Sequence, residues 1–134
     1  MGNLSRKLRL KIFEEVLGVC RLNKNAPVPD WAQGGFVSYT RSENELSIVC
    51  AQKYIPAQVQ CERDWRYFRV EGSLGFSLVG ILSGLAGVLA GHEIPLLAIS
   101  TYDTDYILVK EHDLEKAVEI LAREGHEVIR EQSR

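Results

Sequence analysis

The pattern of apolar and polar positions sets out most of the elements before any composition is considered. Leu8, Leu10 and Ile12 alternate with Arg9 and Lys11, the period of a half-buried strand. After Glu14-Glu15, which reads as a solvated bulge or turn, the apolar run Val16 to Leu22 predicts a second strand. Asn23 to Pro29 is a loop held extended by Pro27 and Pro29. Asp30-Trp31-Ala32-Gln33 fits one helical turn capped by Asp30 and stopped by Gly34-Gly35. Phe36 to Thr40 and Leu46 to Ala51 predict two strands around the polar turn Arg41 to Glu45, while Pro56 argues against a long helix over Lys53 to Asp64. From Trp65 the pattern sharpens. A strand over Trp65–Glu71 ends at Gly72, with Phe68 and Val70 on one face and Arg69 and Glu71 on the other. A helix capped by Ser77 runs to Ala90, and strands follow at Pro95–Thr101 and Asp105–Lys110. A helix capped by Asp113 then uses Leu114, Ala117, Val118, Leu121 and Ala122 as its apolar stripe. It stops at Gly125, and His126–Ile129 supplies the last strand. The order β-α-β-β-α-β is that of the split-βαβ, ferredoxin-like unit.

Two finer patterns change this picture. In the helix after Gly72, leucines 78, 82, 85 and 89 share one face, and glycines 80, 84, 87 and 91 lie nearly opposite. Glycine costs about 1 kcal/mol against alanine inside a helix, so the glycine face is either a relaxed solvent face or, the favoured reading, a place of close approach by another element, such as a second copy or the first half of the chain. The second pattern is a repeat. Shifted by sixty positions without gaps, Phe36–Val49 falls on Leu96–Val109, so that Glu43 meets Asp103 and Glu45 meets Asp105. Leu8-Arg9-Leu10 falls on Phe68-Arg69-Val70 under the same shift. The expectation is α+β: two tandem units, a degenerate half over 1–63 and a complete one over 64–134, each with an antiparallel sheet.

Composition narrows the function classes. Over 134 residues the net charge is −2 and the pI about 5.9, which offers no basic footprint for nucleic acid or for an anionic membrane surface. Ser73–Gly91 lacks charge for about the length of a membrane span, but it carries five glycines and three serines and reads as a soluble helix. Cys20, Cys50 and Cys61 are not spaced as a metal knuckle or redox pair and predict reduced cysteines in a cytoplasmic protein. His92, His112 and His126 lie far apart, and Ser73 and Ser77 stand in no nucleophile-elbow context. The glycine run is not followed by the Lys-Ser/Thr pair of a phosphate loop. No catalytic residue, metal ligand or cofactor is expected.

The candidate chemistry is ligand binding. Backbone N–H groups around Gly72, Gly75, Phe76 and Ser77, at a helix N-terminus, suit a carboxylate, and glycines there let a ligand approach closely. Asp105 or Asp103 suits an ammonium, although Asp103 and Thr104 are also ordinary turn residues. Ser100, Thr101 and Thr104 add neutral contacts, and Phe76 and Tyr102 can wall a side chain.

Three segments carry a family resemblance: Glu45–Cys50, Gly72–Leu82 and Ile99–Val109. The second half resembles the ACT domain, a small regulatory module that binds amino acids, and the whole chain resembles tandem-ACT proteins related to the cytosolic arginine sensors of animals. The resemblance implies a ligand held between the strand-to-helix loop of one unit and a neighbouring unit. On the matching positions it assigns Gly72, Gly75 and Phe76 to the loop, and Thr101, Tyr102, Thr104 and Asp105 to the ligand-lining segment. It also implies that two units complete a site as a homodimer. The chain departs from the arginine sensors in having no acidic residue in the loop around Gly75. An amino acid or similar small ligand is therefore expected, with its identity open. The other function class consistent with the residues is a protein–protein assembly module with no ligand.

Overall fold

In the computed structural model residues 8–71 and 81–131 are described. The elements are β1 (Arg9–Leu22), β2 (Ser38–Arg41), β3 (Leu46–Ala51), β4 (Cys61–Val70), α1 (Ile81–Gly91), β5 (Leu96–Ser100), β6 (Asp105–Lys110), α2 (Leu114–Arg123) and β7 (Glu127–Arg130). They form two compact units, one made of Met1–Glu14 with Arg66–Arg134 and the other of Glu15–Trp65.

The larger unit has strand order β7-β1-β4-β6-β5. It contains the expected β-α-β-β-α-β succession, with one addition: the first part of β1 enters between β4 and β7. There Arg9–Ile12 pairs with β7 in parallel, so the sheet is not wholly antiparallel as expected. The core explains the insertion. Leu10 and Ile12 bury completely in one cluster with Phe68, Val70, Ile107 and Val109 of the neighbouring strands. Leu85 and Leu89 of α1 and Leu114, Ala117, Ile120 and Leu121 of α2 close that cluster from the helical side. The leucine stripe of α1 thus faces the core. In α2 Ile120 takes a buried place, while Ala122 is exposed.

The smaller unit has strand order β2-β3-β1-β4 and its own cluster of Cys20, Leu46, Ile48, Cys50 and Ile55. No α-helix lies among its described residues.

Four local expectations are corrected. First, β1 does not break at Glu14-Glu15 but runs for 14 residues. Glu15 stays in the strand because its carboxylate accepts the Gly35 N–H at 3.0 Å, beside Gly34 in a left-handed backbone (φ 140°). Second, residues 30–33 form a turn rather than a helical one, tied by Ala32 N–H to Pro29 O at 3.2 Å. Third, Asp113 precedes α2 but makes no side-chain capping bond; a 3-10 turn over Glu111–Asp113 runs into the helix and leaves Asp113 in helical backbone. Fourth, β4 begins at Cys61, four residues before the expected start.

The expected loop of Gly72 to Ser77 and the expected start of the helix at Ser77 lie outside the described residues. No described helix is long and apolar enough to cross a membrane. Among the described residues, a Cβ placed on Gly84, Gly87 or Gly91 meets nothing within 4 Å.

The two hairpins share one geometry, at a different offset from the gapless one. Arg41 pairs with Leu46 across the first turn and Ser100 with Asp105 across the second. The geometric offset is fifty-nine positions rather than sixty, so Glu45 corresponds to Thr104 and not to Asp105. What the turns have in common is a hydroxyl at the first position. Ser42 Oγ accepts the N–H of Asn44 at 3.1 Å and of Glu45 at 3.3 Å. Thr101 Oγ1 accepts the Thr104 N–H at 3.2 Å.

Candidate functional site: a charged groove beside the second hairpin

The second hairpin is locally self-sufficient. Thr101 N–H donates to Thr104 O at 2.8 Å, and the Thr101 hydroxyl donates to the same carbonyl at 3.1 Å. The Ser100 hydroxyl donates to Asp105 Oδ1 at 2.5 Å across the strand pair. These bonds satisfy the turn internally, the usual function of short hydroxyl and carboxylate side chains in turns. One bond reaches outward: Thr104 Oγ1 donates to Val70 O at 2.5 Å and fixes the turn to the end of β4.

Between that turn and the end of β4 lies a groove of about 430 Å³. It is lined by Arg69, Val70 and Glu71 on one side and by Thr101, Asp103, Thr104 and Tyr106 on the other. Arg69 Nε donates to Glu71 Oε2 at 2.6 Å, with both side chains partly buried. The Arg69 guanidinium also lies 5.0 Å from the Phe13 ring centre, within cation–π range. Phe13 in turn stacks on Tyr67, 4.9 Å between centroids and 4° from parallel. The arginine pKa is raised, chiefly by the Glu71 hydrogen bond; desolvation works against this and the Tyr106 hydroxyl adds to it. A held cation therefore sits in the groove with Glu71 next to it, and the exposed Asp103 also lines the groove.

Of the expected ligand residues, Thr101 and Thr104 line this groove. Ser100 and Asp105 are occupied with each other, and Tyr102 is 85% exposed. Gly72, Gly75, Phe76 and Ser77 lie outside the described residues. Arg69, Glu71 and Tyr106 were not among the expected residues. On a strand of alternating pattern Arg69 and Glu71 read simply as the polar face, and the one clue was two opposite charges two positions apart on that face.

A second groove, of about 520 Å³, lies in the smaller unit. It is lined by Arg21, Asn23, Lys24, Glu43, Asn44 and Gln60 among others. Arg21 is bound there to Glu45 at 2.9 Å, and both side chains are substantially exposed. Among the described residues no group of three or more metal-ligating side chains comes together.

Comparison with known proteins places this fold. The model of the ACT domain matches residues 60–123, and a model of an N-terminal domain matches residues 15–58. The cytosolic arginine sensor for mTORC1 subunit 1 from Bos taurus is 32% identical over 114 residues, which cover 74% of this chain and 35% of that protein. The chain thus matches only about a third of the length of that curated relative. A crystal structure from Agobacterium tumefaciens is 37% identical, has a TM-score of 0.91, and covers 97% of this chain and 98% of its own. Aspartokinase III of E. coli shares the fold, at 13% identity and a TM-score of 0.60, over 87% of this chain and 32% of its own. Residues 60–123 match the ACT domain family, and the chain is similar to the cytosolic arginine sensor over 114 residues.

Proposed function

We propose that the chain binds a free amino acid in the groove between the end of β4 and the second hairpin, as a regulatory or sensory module with no catalytic activity of its own. The observation that carries this reading is the pairing of Arg69 with Glu71 in a groove that Asp103 also lines. An amino acid carries a carboxylate and an ammonium on one carbon. Arg69 offers the carboxylate a planar two-donor fork, and Glu71 and Asp103 offer the ammonium its acceptors. Gly72 to Ser77 come next in the sequence, and as the expected strand-to-helix loop their N–H groups would add to the carboxylate side. Asp105 remains a second acceptor for the ammonium. The arginine-sensing function named for the bovine relative supports an amino acid as the ligand class, and a cytoplasmic location goes with it.

A thermal-shift screen of the twenty amino acids tests this reading. A cognate ligand at about a hundredfold its Kd stabilises the folded chain by about 2.7 kcal/mol, which reads as a rise of several degrees in Tm. A response from none of the twenty would sink the proposal.

A specific observation favours a second reading, assembly through α1, and it is compatible with a tandem arrangement in which the chain works as a homodimer. Gly84, Gly87 and Gly91 present an open face in this chain. Gly84→Leu therefore meets no clash within a monomer and raises helix propensity. If α1 is a dimer interface, this variant should sediment as a monomer while its Tm holds or rises. An unchanged sedimentation coefficient excludes that face as the interface. The same tandem reading treats the two hairpins, matched at their first-position hydroxyls, as copies of one ancestral unit.

A further inference from the structure

The smaller unit carries three reduced thiols, Cys20, Cys50 and Cys61, on three adjacent strands. Arg21 N–H donates to Gln60 O at 3.0 Å, which sets the preceding residue of β1, Cys20, beside Cys61 at the start of β4. Directly opposed residues of an antiparallel pair have Cα atoms about 4.5–5.5 Å apart, inside the range of about 4.4–6.8 Å that a disulfide spans. The Cys61 thiol is near enough to raise the pKa of the Cys20 thiol, and its own Sγ–H donates to Glu62 O at 3.5 Å. Cys50 stands differently. It pairs with Gly18, while Ile48 sits opposite Cys20. Cys50 is thus a diagonal neighbour of Cys20, at about 7–8 Å, beyond that range. A Cβ added at Gly18 would fall 2.8 Å from Cys61 Sγ, so glycine at this position leaves the space into which the Cys61 sulfur projects.

We propose that Cys20 and Cys61 are a cross-strand thiol pair that closes to a disulfide in the folded protein when it meets a low-molecular-weight disulfide. Cys61 is the entry point because it is half-buried, whereas Cys20 is 2% exposed. The Cys61 thiolate attacks one sulfur of the small disulfide, whose S–S bond breaks. One small thiolate leaves and takes up a proton, and Cys61 carries a mixed disulfide. Cys20 then gives its proton to solvent, and its thiolate attacks the Cys61 sulfur and expels the second small thiol. The protein's two thiols are oxidised, the small disulfide is reduced to two thiols, and atoms and electrons balance. The second step is the slow one. Burial, together with the neighbouring Cys61 thiol, pushes the Cys20 thiol up to about 12, and only the thiolate attacks.

The test uses the native full-length chain incubated with oxidised glutathione, quenched by alkylation and read by intact mass and peptide mapping. The expected product has lost the mass of two hydrogens, holds a Cys20–Cys61 peptide pair, keeps one alkylatable thiol at Cys50 and retains the circular dichroism of the reduced protein. Cys50→Ser should still close the bridge, Cys61→Ser should not, and dithiothreitol should restore three thiols to the wild type. Glutathione held on Cys61 without an intramolecular bridge, a Cys20–Cys50 pair, or closure only in denaturant would each overturn the proposal. The wild-type map alone decides it if a variant fails to fold.

Discussion

Phe68→Ala is expected to destabilise the chain by about 3–5 kcal/mol, the range for deleting a buried aromatic ring. Phe68 is 1% exposed and the largest of the fully buried side chains. It sits in one cluster with Leu10 and Ile12 of β1, Leu85 and Leu89 of α1, Ile107 of β6 and Leu121 of α2. Four other elements therefore share that cluster with the ring, and a cavity bounded by that many rigid elements collapses poorly. Folded domains keep about 5–15 kcal/mol in total, so the variant should approach the limit of stable folding. In urea its midpoint should fall sharply with the slope m unchanged. Phe68→Leu retains most of the apolar volume and should cost about 1.5 kcal/mol or less. A loss under about 1 kcal/mol for Phe68→Ala would show that β4 is not the centre of this core.

How far the sequence could be read follows from which forces are local. The strands Leu46–Ala51 and Asp105–Lys110 have the bounds expected of them, because their pattern and their turns lie within a few residues. Gly125, at φ 97°, ends the last helical stretch as expected, a matter of backbone sterics at one residue. The continuity of β1 was hidden. Two adjacent glutamates look like a break until Gly35, twenty residues on, supplies the N–H that holds Glu15 in the strand. The place of β1 beside β7 was hidden for the same reason, since it depends on a partner at Glu127–Arg130. The likeness of the two hairpins shows in the sequence as a pattern, one position away from the register in which their strands pair. Side chains of similar charge aligned at sixty positions, whereas the backbone turns close at fifty-nine and match through Ser42 and Thr101. At the groove, the turn hydroxyls were visible as polar residues between strands. Arg69 and Glu71 looked like any outward-facing pair, because nothing local shows that Thr104 fastens the turn across Val70 and makes a wall facing them.

Arg69→Met should lower affinity for the cognate amino acid by about a hundredfold or more while leaving the chain folded. A hydrogen bond to a charged group contributes about 1.5–3 kcal/mol, and tenfold in Kd corresponds to about 1.4 kcal/mol. Losing a two-pronged contact to the carboxylate therefore reaches that size. The stability cost is smaller, because the Arg69–Glu71 pair is a third and a quarter exposed and water screens it. Its stacking on Phe13 contributes about 0.5–1 kcal/mol at such a site, and the methionine chain retains part of that packing. Arg69→Lys separates charge from geometry: it restores the cation but not the planar fork, so its affinity should fall between those of Met and wild type. Titration calorimetry with the amino acid found by the thermal screen measures all three. If Arg69→Met binds that amino acid as tightly as the wild type does, the carboxylate is held elsewhere, and the groove beside the second hairpin is not the ligand site.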